Sequence, residues 1–524
     1  RFEGTPDRKA GRLVFTGAED DPETLKSITE LGFEDAAAVS QKVREWHHGR
    51  YRCTRTVRAQ QILTALMPQI LEALGGTANP DSAFTRFDVF LQKLPAGVQL
   101  FSLFKAHPSL LTLLAKIMGT APDLAERLAQ NPMLLDGVLD ADFLAALPPA
   151  DELREDLDLI LGTARDFQDI LDYTRRWAND RKFRLGVHIL NNIDHGSSQG
   201  ATVAAGPGFS DVAEVVLQSL FPRVRAELEK THGKVPGAEF AIIALGKLGS
   251  RQMTPASDAD LMFTFTTPEP DMTTDGAKPI AAGLFFTRLC QRVINALSVH
   301  TGEGQLYEVD MRLRPHGKSG PIALPLDSIR RYYQEEAWTW EHLALTRARV
   351  VAGDAALMKQ TADALREINE TPRDDKKIRT DTLDMRRRVL KEHGSDNPFV
   401  IKHAIGGLMD LEFLCQYLRL KHGPAHPAIL LPNSMDSLLV MKEEGILPAE
   451  EADRICDILA LYLNISGLQQ LSLGSARIDE TIPPALQDAL AAAGKVENFA
   501  ALAKKLKDAQ GDIDTLLKKH LGAD

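Results

Sequence analysis

SDADLMFTF, Ser257 to Phe265, places two aspartates one residue apart at the head of an otherwise apolar run. Alternate residues of a strand share a face, so Asp258 and Asp260 project together with Cα atoms roughly 6.5 to 7 Å apart. Two ionised carboxylates that close raise one pKa if nothing compensates them, whereas divalent cations hold both deprotonated. Mg2+ suits such a pair, because it takes one or two carboxylates together with substrate phosphates and water.

The flanking sequence extends this site. Upstream, EFAIIAL (239–245) reads as a strand that breaks into GKLGS (246–250), where Gly249 and Ser250 are expected to let the backbone approach a phosphate and Lys247 to add charge. Downstream, the apolar helix AAGLFFTRLCQRVINALSV (281–299) leads to QLYEVDMRLR (305–314), read as a third strand carrying Asp310. Arg312 and Arg314 share parity with Asp310 and so would lie on its face. An isolated pair of acids is more often a solvated strand end or a helix cap. The third strand acid, the Gly-Ser turn and the two arginines reverse that reading, although structural salt bridges remain an equal alternative for Lys247, Arg312 and Arg314 taken singly. Three converging carboxylates point to a two-metal site for in-line phosphoryl displacement.

The rest of the chain reads as helix. Apolar residues recur at three and four in QILTALMPQILEAL (61–74), LFSLFKAHPSLLTLLAKIM (100–118), LMDLEFLCQYLRLK (408–421) and EADRICDILALYLNISGLQQL (451–471). HGSSQGATVAAGPGF (195–209) is the most linker-like stretch, with an ordered surface loop as the alternative. The fold class is therefore α+β, predominantly helical, with one small mixed sheet flanked by helical bundles and no second copy of it. HGKSG (316–320) lacks the first glycine of a phosphate loop and reads as a turn. MRRRVLK (385–391) reads as a solvated helix face, and His47, His48 and His342 as surface or packing histidines.

Composition narrows the partners. The 524 residues carry a formal charge of -11, a poor match to a polyanion, so no nucleic-acid partner is expected. No apolar run reaches the roughly 18 residues of a membrane span, and RFEGTPDRKAGR (1–12) lacks the apolar centre of a signal peptide. The four cysteines have no paired short spacing, which argues against a disulfide framework or zinc site and for a reducing cytoplasm. Because the first residue is Arg rather than Met, the chain reads as a fragment or a processed product.

Strand, Gly-Ser turn, Asp-x-Asp strand and distant third Asp together resemble the nucleotidyltransferase superfamily that includes DNA polymerase beta. ALGKLGSRQMTPASDADLMF (244–263), LYEVDMRLRPHGKSG (306–320), EAWTWEHLALTRARVVAGD (336–354) and IKHAIGGLMDLEF (401–413), in that order, resemble the glutamine synthetase adenylyltransferase family. HPSLLTLLAKIMGTAPDLAERLAQNPMLLDGVLD (107–140) is similar to its helical lead-in. The chain departs from the family turn GxGKLGG at Ala244 and Ser250; Ser is acceptable at the second position and Ala244 lies in the strand.

The resemblance implies a domain order: a helical linker region over 1–83, a catalytic domain over 84–355 with its nucleotidyltransferase core at 236–355, and a C-terminal helical bundle over 356–524. It implies transfer of AMP from ATP to a tyrosine of glutamine synthetase with release of pyrophosphate. EAWTWEH favours that adding direction, and the segment 31–68 resembles the region between the two modules of the full-length family protein. Phosphorolytic removal of AMP, or a regulatory module with a vestigial site, are the alternatives. Two Mg2+ ions would be held by Asp258, Asp260 and Asp310, with Asp310 also helping to deprotonate the tyrosine. Gly249, Ser250, Lys247, Ser257, Arg312 and Arg314 would bind ATP. Control by glutamine and by the nitrogen-signalling PII protein is also implied. Trp338 and Trp340 are expected to pack, and Asp410 and Glu412 to cap a helix or dock domains.

Overall fold

Strands β1 (Glu239–Ala244) and β2 (Ala259–Thr266) pair antiparallel from Glu239 opposite Thr266 to Ala244 opposite Leu261. Both are largely apolar on both faces because helices cover both sides of the sheet, a situation that removes the usual alternation. On one face Phe240, Phe263 and Phe265 stack with Phe221 and Phe286, with ring centroids between 4.4 and 5.8 Å apart. Those two partners come from the helices Ala201–His232 and Ala282–Ser298. On the other face Ile243 and Met262 pack against Ile329, Tyr332, Leu365 and Ile368, and Ala241 against Leu357 and Ala364. These come from the helices Leu326–Glu335 and Ala355–Glu370. Each fully buried side chain contributes about 1.5–3 kcal/mol. A like-charge pair at the end of such a sheet, costing on the order of 1 kcal/mol, is therefore tolerated.

Three further strands complete the mixed sheet: β3 (Val309–Asp310), β4 (Ala323–Pro325) and β5 (Arg349–Gly353). The order is β3-β2-β1-β5, with β4 also on β2. β5 runs antiparallel to β1 with a register shift at Ile242/Ile243, whereas β3 and β4 run parallel to β2. The α+β, mostly helical class read from the sequence agrees with this architecture.

This computed structural model describes residues 13, 15, 20–132, 134–135, 147–193, 200–474, 478–479 and 481–522. The chain divides into two compact units. One comprises Arg1–Ala145, Gly186–Gly196 and Leu468–Phe499; the other, holding the sheet, comprises Ala146–Leu185, Ser197–Gly467 and Ala500–Asp524. The first unit is helical where described. Its core sets Trp46 against Phe84 and Phe87 and buries Asp88, whose carboxylate accepts from Trp46 Nε1 and Tyr51 OH at 2.8 Å each. Among the described residues no single helix is long and apolar enough to cross a membrane, and the apolar pair Val98–Ala106 and Pro108–Thr120 bends by 109° at its junction. The four cysteines are free thiols.

Several sequence expectations need correction. The third strand does not run to 314: it ends at Asp310, whose Oδ1 accepts the Arg312 N–H at 2.8 Å and turns the chain. Parity past that turn has no meaning, so Arg314 does not share a face with Asp310. Residues 195–199 of the linker-like stretch lie outside the described residues, and 201–209 form the start of the helix Ala201–His232 rather than a loop. MRRRVLK is not wholly solvated, because Arg386 is buried against two aspartates. Trp338 does not pack; it is 69% exposed at the start of the helix Thr339–Leu345. His342 is buried and held neutral, its pKa pushed down to about 4 by burial and then by Arg373 and Lys377. HGKSG is a turn, with a short 3-10 segment at Gly317–Ser319.

Candidate active site

The parallel pairing of β2 with β3 sets Asp260 directly opposite Asp310, and Asp258 precedes β2 by one residue. Oxygens of all three carboxylates lie within 4.8 Å of one another. Like charges opposed across a ladder are unfavourable, and little in the chain offsets these. Burial, then Asp258 and Asp310, push the Asp260 carboxyl up to about 7, against the opposing pull of Arg347 and Arg312. Burial also disfavours the charge of Asp310, but Arg312 outweighs it and holds Asp310 below the usual carboxylate range. Arg312 Nε and one terminal nitrogen reach Asp310 Oδ2 at 2.7 and 2.5 Å, from a largely exposed side chain. An all-oxygen donor set whose charge is only partly compensated fits a hard divalent cation such as Mg2+.

The turn between β1 and β2 supports the cluster. Leu245 donates its N–H to the Asp260 carbonyl at 2.9 Å, and the chain then coils through Gly246–Gly249. Gly246 has φ +55° and lies against the carboxylate: a Cβ there would stand 2.0 Å from Asp260 Oδ2. Only glycine meets both conditions without strain. Lys247 sits in the same turn, its Nζ 3.4 Å from Thr254 Oγ1. Burial pulls its ammonium below the ordinary lysine value, with Glu412 and Asp258 opposing that shift. Ser257 Oγ accepts from Thr254 N at 2.8 Å, and so shapes the turn that delivers Asp258.

Gly249 and Ser250 differ from expectation. Their N–H groups donate to the carbonyls of Leu245 (2.8 Å) and Gly246 (3.1 Å), so they close the turn instead of presenting donors to a ligand. The close approach at Gly249 is to backbone, since a Cβ would stand 2.1 Å from the Arg347 carbonyl. Ser250 is fully buried, and its Oγ accepts from Arg347 at 2.9 Å. Arg314 is also committed elsewhere: it is buried and donates to the carbonyls of Met311 (2.7 Å), Gly320 (3.0 Å) and Pro321 (3.2 Å), clamping the turn after β3. The structure thus brings Asp258, Asp260, Asp310, Lys247, Ser257 and Arg312 to one locality and uses Gly249, Ser250 and Arg314 as framework.

Sequence reasoning missed Gly246, Arg347 and Arg349. Arg349 donates to the Gly249 carbonyl at 2.7 Å and pairs with Glu214, while Arg347 pairs with Glu412 at 2.8 Å. The visible signal was the arginine pair in TRAR (346–349), which leads into β5 at Arg349. Asp410, in the first turn of the helix Leu408–His422, accepts from Gly406 N at 2.7 Å and forks with Arg386.

Comparison with known proteins agrees with this geometry. The family model for glutamate-ammonia ligase adenylyltransferase matches residues 111–364. A bifunctional glutamine synthetase adenylyltransferase/adenylyl-removing enzyme of Agrobacterium fabrum is 39% identical over 507 residues, covering 95% of this chain and 50% of the relative. Proteins of the same name from Brucella melitensis and Mesorhizobium japonicum are each 38% identical, over 93% and 99% of this chain and 49% and 52% of their own lengths. The chain thus spans about half the length of these curated relatives. The segment that matches the glutamate-ammonia ligase adenylyltransferase family model, residues 111–364, is the one that carries all three aspartates.

Proposed function

We propose that this chain transfers AMP from ATP to a tyrosine hydroxyl of glutamine synthetase and releases pyrophosphate. The observation that carries the reading is the convergence of Asp258, Asp260 and Asp310 within a segment matched by an adenylyltransferase family model. On this reading the sheet and its flanking helices form a nucleotidyltransferase fold, with the core at 236–355 between a helical lead-in and a C-terminal helical bundle.

Asp258 and Asp260 hold the cations that accompany ATP, and Asp310 completes the set, with Arg312 restraining its carboxylate. Bound Mg2+, two ions in this proposal, supplies neutralisation of the phosphate charge that develops as the leaving oxygen departs. Lys247 and Arg312 present positive charge to the triphosphate. The tyrosine hydroxyl, whose free pKa is about 10, is a poor nucleophile at neutral pH and needs an acceptor for its proton. Asp310 is the acceptor we assign. The chain works in the cytoplasm, under control by glutamine and the PII protein.

Because the relatives are named for both adding and removing AMP, and the chain spans about half of them, phosphorolytic removal is the competing reading. Radiolabelled ATP with purified glutamine synthetase decides between them. Label on glutamine synthetase with equimolar pyrophosphate is the expected result. Production of ADP from AMP-modified glutamine synthetase and phosphate, without label transfer, would replace addition with removal. A chain inactive in both directions would leave a regulatory module.

A further inference from the structure

We propose that Arg347 is a positioning residue: a strut through which Glu412, on the helix Leu408–His422, sets the Gly246–Ser250 turn that seats Asp260. This rests on the reading of Asp258, Asp260 and Asp310 as cation ligands. Arg347 is only 5% exposed. One terminal nitrogen meets Glu412 Oε1 at 2.8 Å and the other meets Ser250 Oγ at 2.9 Å. The Ser250 hydroxyl lies 3.3 Å from the Lys247 carbonyl, and the Arg347 carbonyl is pressed against Gly249. A buried guanidinium with its planar fork thus spans two elements far apart in sequence, a geometry that a flexible ammonium reproduces poorly.

The turn so gripped has little freedom to adjust. Arg349 ties the carbonyls of Gly249 and Leu248 at 2.7 and 3.1 Å. At its other end Gly246 touches the Asp260 carboxylate, and Leu245 donates to the Asp260 carbonyl. A shift at Ser250 is therefore passed to the carboxylate that faces Asp310. Groups that orient a metal's ligands without touching the metal change affinity or activity by about 10- to 100-fold when altered.

The test uses the full chain and Mn2+ as a spectroscopic probe, with free Mn2+ followed by paramagnetic resonance in the absence of nucleotide. Arg347→Lys is expected to weaken Mn2+ binding about tenfold and to lower kcat for AMP transfer in parallel. Ser250→Ala added to Arg347→Lys should cost little more, because both break one link. Unchanged Mn2+ affinity in a folded Arg347→Lys chain, even with a lowered melting temperature, overturns the proposal. Should Arg347→Lys fail to fold, Glu412→Gln and Ser250→Ala each alter one partner of the guanidinium and leave it in place. Wild-type Mn2+ affinity in both overturns the strut, and weakened affinity in both supports it. Normal Mn2+ binding without AMP transfer by the unaltered chain would defeat the proposed function and leave the strut standing.

Discussion

Two clusters in the sheet-containing unit use the same residue types to opposite ends. In the first, Arg386 forks onto Asp410 with two 2.9 Å bonds and reaches Asp514 at 2.5 Å, while Lys518 meets Asp514 at 3.0 Å. Two carboxylates face two cations, and Gly406 N–H adds a further donor to Asp410 at 2.7 Å. In the second, Asp258, Asp260 and Asp310 converge with Arg312 bonded to one of them, and the guanidinium of Arg347 is taken up by Glu412 and Ser250. The chain supplies the countercharge in the first case and withholds it in the second. Buried charge that is internally balanced is framework; charge left unbalanced on a rigid sheet marks where something from outside binds.

The contrast can be broken most severely at Asp260. Asp260→Asn is expected to lower AMP transfer on the order of 10³-fold, the scale of losing one preorganised electrostatic group. Its melting temperature without metal should equal or exceed that of the unaltered chain, because a like-charge contact is removed. A large stability loss with transfer retained would make the two clusters equivalent.

Arg386→Met should do the reverse. Removing one partner of a buried pair costs about 3–5 kcal/mol, to be read from urea unfolding, while Mn2+ affinity of the folded chain stays at the wild-type value. Metal addition gives a smaller signal. Mg2+ at about 100 times its dissociation constant should stabilise the sheet unit by about 2.7 kcal/mol, seen as a rise in melting temperature that EDTA reverses and Asp260→Asn abolishes. Within the acidic site, Arg312→Ala should have the smallest effect on metal binding. This exposed side chain competes with a cation for Asp310, and exposed ion pairs are worth at most about 1 kcal/mol. Mn2+ binding to the nucleotide-free chain should therefore tighten by up to about fivefold.

Much of the acidic site was legible from short-range rules. Period two in DADLMFTF put Asp258 and Asp260 on one face, and the later acid in LYEVDMRLR joined them because β3 pairs with β2 in register. The same rule failed beyond Asp310, since an aspartate that bonds its own i+2 N–H ends the strand that parity assumes. Arg314 was consequently assigned to the ligand side when it clamps a turn. Small residues after a strand permit close approach, and at Gly249 it is the backbone of Arg347 that comes close.

Arg386 and Trp338 teach the complementary lesson. A basic run looks solvated until two distant aspartates arrive beside one of its members, and an aromatic residue expected to pack can stand largely exposed. Neither outcome depends on the residues nearby in sequence.

Residue order alone therefore determined which side chains a strand or helix presents together: the paired aspartates, the apolar faces, the small-residue turn. Tertiary structure decided which charges were neutralised. Arg386 balances Asp410 and Asp514, whereas Arg347 bonds Glu412 and Ser250 and only partly offsets Asp260 beside Asp258 and Asp310. The physical reason is range. Backbone periodicity is set by neighbouring residues, whereas the balance of buried charge depends on groups brought within a few ångströms by contacts between segments remote in the chain.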